Sequence, residues 1–294
     1  MTVLTFLADW LWQPFAQPGH MRHALIACVA LALGSGPIGV FLVLRRMTLI
    51  GDTMSHAILP GIAIGFLVFG MSLPAMSIGG FAAGLILAVC AGLVTRFTPI
   101  KEDASFAAFF VMSLALGVLL VSSQGDPHAL IDVLFGDAVE ISAATLVLVA
   151  CIATVTLLTL AVMYRPLVVE CFDPIFLRAV GGPSTTTHLI FLVLVVLNMV
   201  ADFQALGTLL SVALMMLPAI AARFWAREIW SLAAVAIVIG LISALAGLLI
   251  AYHANVPSGP AITLVAGAIY LGSVFVGPRD SLSARFLRRR HLTT

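Results

Sequence analysis

Residues 45–61 read RRMTLIGDTMSHAILPG: two arginines precede an apolar segment that contains one acid and one histidine. Asp52 and His56 are four residues apart, so on a helix they share one face, with their Cβ atoms about 5–6 Å apart. Pro60 and Gly61 follow directly, and proline interrupts a helix because it lacks a backbone N–H. The segment therefore predicts a broken helix that carries two potential metal ligands.

The depth of this Asp/His pair follows from its distance to the arginines. If the helix begins near Arg46 at the cytoplasmic boundary, a rise of about 1.5 Å per residue puts His56 roughly 15 Å deep. That is about the midplane of a hydrocarbon core about 30 Å thick, where ionisable groups usually face a bundle interior or a wet cavity. Imidazole and carboxylate both bind first-row metals, so the pair predicts a divalent-cation site that two copies of the chain would complete. The alternative is that Asp52 caps the start of the helix beside a histidine with a structural hydrogen bond.

The rest of the chain has the composition of a membrane protein. Of its 294 residues, 62% are hydrophobic and 9% are charged, against about 45–50% and 25% in soluble domains. The net charge of +1 gives no overall field that would favour nucleic acid as a partner. Composition therefore indicates a chain in the lipid bilayer, and it excludes an ordinary soluble domain and intrinsic disorder.

Apolar segments of about 20 residues predict the transmembrane helices. The candidates are roughly 23–44, 54–70, 75–95, 104–123, 141–163, 188–203, 207–225, 230–252 and 261–277. They predict an all-α membrane protein, a polytopic bundle of about eight to nine transmembrane helices that forms one domain over residues 1–294. No segment is left for a soluble catalytic domain.

Basic residues predict the orientation, because cytoplasmic loops retain Lys and Arg. Thirteen of the 14 basic residues fall in alternate connections, and Arg22 alone falls on the other side. This asymmetry predicts a multi-pass protein of the cytoplasmic (inner) membrane with a cytoplasmic C-terminus.

The longest outer connection, residues 124–140, is acidic. It contains Asp126, Asp132, Asp137 and Glu140. It is either a solvated loop that avoids positive charge, or a surface for docking or for collecting cations.

Polar and sulfur-containing residues inside other predicted spans have structural interpretations. Asn198 and Asp202 in the sixth span are expected to form hydrogen bonds between helices. Met215 and Met216 are expected to serve packing.

The sequence contains no ATP site of the P-loop kind. A Walker A loop needs GxxxxGK[ST], and the only lysine, Lys101, stands between Ile100 and Glu102. No HExxH or GxSxG motif occurs either, which disfavours an intramembrane hydrolase. The chain is therefore expected not to be an enzyme, and the energy for ATP-driven transport would come from another subunit.

Five stretches together resemble the integral-membrane permease subunits of ABC importers for manganese, zinc and iron, the ABC-3 family. They are residues 45–61, LFGD at 134–137, 172–181, 207–219 and PSGP at 257–260. The resemblance implies the type II importer permease architecture, with a homodimer around a central pathway. It also implies two cytoplasmic ATPase subunits as partners, and an extracytoplasmic metal-binding protein that delivers the ion.

The resemblance assigns the pore metal ligands to Asp52 and His56. It implies no permanently bound cofactor, since the divalent metal, zinc or manganese and in some members iron, is the cargo. Histidine and carboxylate ligands do not choose between these metals. An ion-coupled secondary cation transporter or channel is the alternative, because buried Asp and His also serve proton relays.

The resemblance also implies a cytoplasmic region, residues 165–187, that couples the permease to the ATPase. The residues that match the family there are Asp173, Pro174, Arg178 and Gly181. The distribution of basic residues places the same connection in the cytoplasm.

Overall fold

The computed structural model describes Pro14 and residues 20–70, 72–100, 102–122, 141–279 and 281–283. In these residues ten α-helices follow one another, and no strand occurs. They are α1 (His20–Leu44), α2 (Thr48–Ala57), α3 (Leu59–Phe69), α4 (Leu73–Phe97), α5 (Glu102–Ser122), α6 (Ala143–Phe172), α7 (Pro174–Ala179), α8 (Ser184–Ala222), α9 (Ile229–Ala254) and α10 (Ser258–Val276). The acidic outer connection, with its LFGD stretch, lies outside the described residues.

Seven helical segments of the described chain are long and apolar enough to cross a membrane. They are Met21–Leu44, Ile50–Phe69, Leu73–Thr95, Ala143–Phe172, Ser184–Gly207, Ile229–Ala254 and Ser258–Val276. The predicted spans 104–123 and 207–225 coincide with shorter apolar helices, Ala104–Leu120 and Leu210–Ala222. The structure thus confirms an all-α polytopic fold. Its described residues contain seven segments of spanning length, which does not confirm the predicted eight to nine transmembrane helices.

Gly207 divides α8 into two helices that fold back on each other. Its φ of 78° and ψ of 177° are not helical, and glycine adopts a positive φ without a Cβ clash. Ser35 of α1 hydrogen-bonds to Asp202, before the break. Gly39, one turn further along α1, contacts Met215, after the break. A straight helix would separate residues 202 and 215 by about 20 Å, so the chain reverses direction between them.

The helices differ in how much of their surface the chain itself covers. The most apolar stretch of α1 is 78% buried, whereas those of α6 and α10 are each 22% buried. α1 packs against α6, α8 and α9. α1 is therefore central, and the exposed apolar faces of α6 and α10 are surfaces of the kind that lipid covers.

Small residues allow α3 and α4 to approach closely. A Cβ on Gly61 would overlap the carbonyl oxygen of Gly79, and a Cβ on Gly79 would overlap that of Gly61. One turn along α3, a Cβ on Gly65 would lie 2.6 Å from the carbonyl oxygen of Ala75. This backbone-to-backbone crossing is the small-residue packing that stabilises helix pairs in membranes, and it holds α3 beside the helix break that precedes it.

Candidate metal site

α2 is a short helix that follows a left-handed residue and is separated from α3 by Ile58 alone, whose φ of −73° and ψ of −28° remain helical. It begins at Thr48 after Arg46, whose φ is 60°, and it ends at Ala57. Pro60 lies in the first turn of α3 and leaves backbone groups without their helical partners. The Ser113 hydroxyl of α5 donates a hydrogen bond of 3.2 Å to the carbonyl of Ala57. The predicted interruption is local: the Ile58 N–H still bonds to the Met54 carbonyl at 3.3 Å, and the Ile62 N–H bonds to the Ile58 carbonyl at 3.0 Å. A protein group covers a carbonyl at this joint, as hydrocarbon surroundings require.

Asp52 and His56 lie on α2 as the four-residue spacing predicts. Asp52 is five positions past the N-cap residue Met47, so it does not cap the helix, and the capping alternative is wrong. Asp52 is exposed at the surface of the single chain and His56 is half-buried. The shared helical face therefore brings the two groups together at a surface of the chain.

The His56 ring makes one aromatic contact and has a nitrogen without a hydrogen-bond partner. Its edge packs against Phe110 of α5, with ring centroids 5.2 Å apart and planes at 70°. Its Nδ1 atom is buried and has no hydrogen-bond partner. A buried polar atom without a partner calls for an explanation, and a ligand absent from the structure is one. The chemistry of a neutral imidazole beside a carboxylate fits a divalent metal ion.

The described residues of one chain supply too few ligands for a closed metal site. In the part of the chain that the structure describes, no cluster of three or more His, Cys, Asp or Glu side chains could hold a metal ion. Zinc in proteins takes four ligands in structural sites and three plus water in catalytic sites. A closed site on α2 therefore needs further ligands from beyond this pair.

The opposite side of α2 packs against methionines of α8. A Cβ on Gly51 would come within 3.8 Å of the Cε atoms of Met199, Met215 and Met216. Met215 is fully buried and Met216 is 6% exposed, so their predicted packing role is confirmed. The sequence does not predict this contact of Gly51 with the methionines, and the only signal for Gly51 is its position next to Asp52. The methionines fill the core behind α2 and fix which face of that helix stays open.

A second set of polar side chains lies in the core, on α1, α6 and α8. The Ser35 hydroxyl lies 2.9 and 2.8 Å from the two carboxyl oxygens of Asp202. Asn198, one turn earlier on α8, donates a hydrogen bond of 2.8 Å to the Thr156 hydroxyl of α6. These contacts confirm the expected hydrogen bonding between helices.

The four residues of the predicted coupling region build a short helix between α6 and α8. Asp173 is the N-cap of α7, and its carboxylate accepts a hydrogen bond of 2.8 Å from the backbone N–H of Phe176. Pro174 is the first residue of α7, and its carbonyl accepts a bond of 3.2 Å from Nε of Arg178. Gly181 ends the turn with a φ of 76°. Capping, N1 proline and left-handed glycine are the signals that delimit a helix of this length.

Three apolar side chains in α7 or directly after it are more than half exposed. Ile175 is 74% exposed, Val180 66% and Phe176 56%. The sequence alone marks Ile175 as a departure from the family's coupling region, but it does not single out Phe176 or Val180, although their apolar character in a connection assigned to the cytoplasm is a usable signal. An exposed apolar patch of this kind marks an interaction surface. It lies on a different element from Asp52 and His56, so the described fold contains two separate candidate sites.

The sequence and the fold are similar to those of membrane proteins of metal transport systems. The sequence is 32% identical to the manganese transport system membrane protein MntC of Halalkalibacterium halodurans, over 98% of this chain and 96% of that protein. It is 31% identical to the chelated iron transport system membrane protein YfeD of Yersinia pestis, over 91% of this chain and 89% of that protein. Among solved structures, PsaBC from Streptococcus pneumoniae in complex with Fab matches with a TM-score of 0.84 and 28% identity, over 97% of this chain and 100% of that one. Residues 17–277 match the family described as the ABC 3 transport family, and the chain therefore belongs to that family.

Proposed function

We propose that this chain is the membrane permease subunit of an ATP-driven importer for a divalent metal cation. The observation that carries the proposal is the buried Nδ1 of His56, which has no hydrogen-bond partner and lies beside Asp52 on a helix that Pro60 interrupts. The relatives named for manganese and for chelated iron transport support a metal as cargo. Manganese is the first candidate, with zinc and iron as further cargoes that the same ligand types accept.

Asp52 and His56 act as pore ligands in this proposal. The Asp52 carboxylate offsets part of the cost of removing water from the ion, and the neutral His56 ring supplies a nitrogen ligand. Two copies of the chain, arranged as a homodimer, bring four such ligands to one pathway. The exposure of Asp52 on the single chain supports a role for a second copy.

The energy source and the donor of the ion are separate proteins. An ATPase subunit docks on the cytoplasmic side at residues 165–187, where the exposed apolar residues of α7 supply a contact surface. An extracytoplasmic metal-binding protein delivers the ion at the opposite end. The type II importer architecture and a cytoplasmic C-terminus belong to the same proposal, supported by family membership and by the distribution of basic residues.

Replacement of the two pore ligands tests this function. Asp52→Asn and His56→Asn are expected to lower manganese uptake by about ten- to a hundredfold or more, because even outer-shell partners of metal ligands have effects of this size. Uptake of radioactive manganese into cells is measured at matched membrane abundance. His253→Asn, which changes an exposed histidine at the C-terminal end of α9, is the control and is expected to keep wild-type uptake.

Two outcomes would contradict the proposal. Wild-type uptake by both ligand variants would remove Asp52 and His56 from the pathway. Uptake that persists without an ATPase partner but collapses with the proton gradient would instead identify an ion-coupled secondary transporter or channel.

A further inference from the structure

A cavity of about 670 Å³ lies beside α7, between the ends of α1, α4, α6 and α8. Its wall contains several charged and titratable side chains that the metal pathway does not use. They are Arg45, Glu170, Arg178 and His188. The cavity therefore gives these side chains room to change partners next to the coupling region.

Arg45 is held on one side of this cavity by three contacts. Its Nε donates a hydrogen bond of 3.3 Å to Sγ of Cys171. Its Nη1 lies 3.0 Å from Nδ1 of His188, which accepts because a guanidinium has only donors. Its guanidinium carbon lies 4.6 Å from the ring centroid of Phe191. The remaining nitrogen, Nη2, is buried and has no hydrogen-bond partner.

Glu170 has a hydrogen-bond acceptor that likewise lacks a partner. Its Oε2 atom is also buried without a partner, and Glu170 immediately precedes Cys171, which Arg45 already contacts. Both open atoms belong to side chains that line the same cavity. Buried charges are costly unless they are paired, so an arrangement in which Arg45 and Glu170 meet lowers this cost.

The two residues are joined directly to the two candidate functional elements. Arg45 lies three positions before Thr48, where α2 begins, and the joint between them contains Arg46 with a φ of 60°. Glu170 lies three positions before Asp173, the N-cap of α7. A movement that pairs the two side chains therefore acts on the pore helix and on the coupling helix together.

We propose that Arg45 and Glu170 form an ion pair in a second conformation of the transporter and so link the movement of α7 to that of α2. They are positioning residues, since neither is a ligand of the transported ion. This inference rests on the proposed function, because it assumes that α7 receives the ATPase and that α2 carries the pore ligands.

A double-mutant cycle in the reconstituted importer tests the link. Permease, ATPase and metal-binding protein are assembled in liposomes, and manganese uptake and ATP hydrolysis are measured separately. Arg45→Gln and Glu170→Gln are each expected to lower the manganese imported per ATP by about two- to thirtyfold, the range for residues along a coupling route. The kcat of uptake falls while the KM for the loaded binding protein is unchanged. The double variant is expected to be no worse than the poorer single variant.

Matched variants separate this role from a structural one. Glu228→Gln removes a glutamate that bonds to the Trp230 indole outside the cavity, and it is expected to keep wild-type coupling. Arg178→Gln tests the other arginine of the cavity, whose Nε bonds to the Pro174 carbonyl. If the effect of Glu170→Gln disappears in the Arg178→Gln background but not in the Arg45→Gln background, the assignment to Arg45 is overturned.

Other results would overturn the link between Arg45 and Glu170 or the proposed function itself. Additive single effects, or equal losses of uptake and ATP hydrolysis, would overturn the link between Arg45 and Glu170. Arg45→Lys, which keeps the charge, is expected to retain most of the uptake, and a loss as large as that of Glu170→Gln would overturn the ion pair. A wild-type importer that fails to transport metal contradicts the proposed function, whereas normal coupling in Glu170→Gln contradicts this link alone.

Discussion

At the residue scale, the polar side chains inside the bundle fall into two groups with different partners. Asp202 and Ser35 are fully buried and bonded to each other. The His56 nitrogen without a hydrogen-bond partner and the exposed Asp52 carboxylate contrast with that closed contact. The difference follows from position, because Asp202 faces the central helix α1 whereas Asp52 faces out of the chain. The closed contact therefore serves stability, and the open pair serves the proposed transport.

Asp202→Ala is expected to destabilise the chain by about 1–2 kcal/mol. The change leaves the buried Ser35 hydroxyl without its partner, although hydrogen bonds between membrane helices are often worth less than this. Thermal unfolding in detergent measures the effect. Ser35→Ala is expected to cost at least as much, because it leaves the buried Asp202 carboxyl without this partner. The double variant is expected to cost no more than the poorer single variant, because one contact is being removed. Additive losses would show that the two side chains stabilise the chain independently.

At the element scale, backbone breaks and close crossings decide where α2 and α3 lie. Pro60 separates the two helices, and the crossing of Gly61 with Gly79 holds α3 against α4. Gly207 reverses α8 and brings Met199 and Met216 to the same side of α2. These features keep the ligand-bearing face of α2 fixed relative to its neighbours.

Gly79→Ala is expected to lower the free energy of unfolding by about 1–3 kcal/mol, the usual cost of overpacking. The added methyl group would overlap the backbone of Gly61, which cannot move aside as a flexible side chain does. Gly92→Ala is the matched control on the same helix, because its new Cβ has nothing within 4 Å. Because alanine favours a helix more than glycine does, the Gly92→Ala variant should be neutral or slightly stabilised. Equal stability of the two variants would contradict the proposed importance of the crossing.

At the scale of the whole molecule, the exposed apolar surface falls into two regions. The exposed faces of α6 and α10 belong to long apolar helices that suit contact with lipid. The exposed Ile175 and Phe176 belong to the short helix α7 between two spans, and the exposed Val180 follows it. In the proposed function, the ATPase covers this second surface.

Phe176→Asp is expected to weaken ATPase binding by about tenfold or more, as loss of a central aromatic anchor does. The helix itself should survive, because the N-terminal part of α7 tolerates an acidic side chain. Co-purification of the tagged permease with its ATPase measures the effect. Val256→Asp, at a residue 44% exposed in the turn before α10, is the control. Unchanged co-purification of the Phe176→Asp variant would exclude this residue from the interface.

Much of the candidate site is predictable from local sequence. The Asp52/His56 spacing, the break before Pro60 and the cap at Asp173 depend on residues a few positions apart, so periodicity and backbone chemistry suffice. The contact of His56 with Phe110 and the contacts of Arg45 join residues distant in sequence. No local pattern specifies which distant side chains meet, so those contacts could not be predicted.

The sequence by itself determined that this is a helical membrane protein, where its apolar segments lie, and that it has no P-loop of its own. These properties follow from composition, segment length and motif, which need no knowledge of packing. Only the tertiary structure decided that α8 reverses at Gly207, that Asp52 faces outward while Asp202 is enclosed, and that Arg45 and Glu170 line one cavity. The physical reason is that helices of nearly uniform hydrophobicity carry little information about which face is buried, so contacts with other helices settle it.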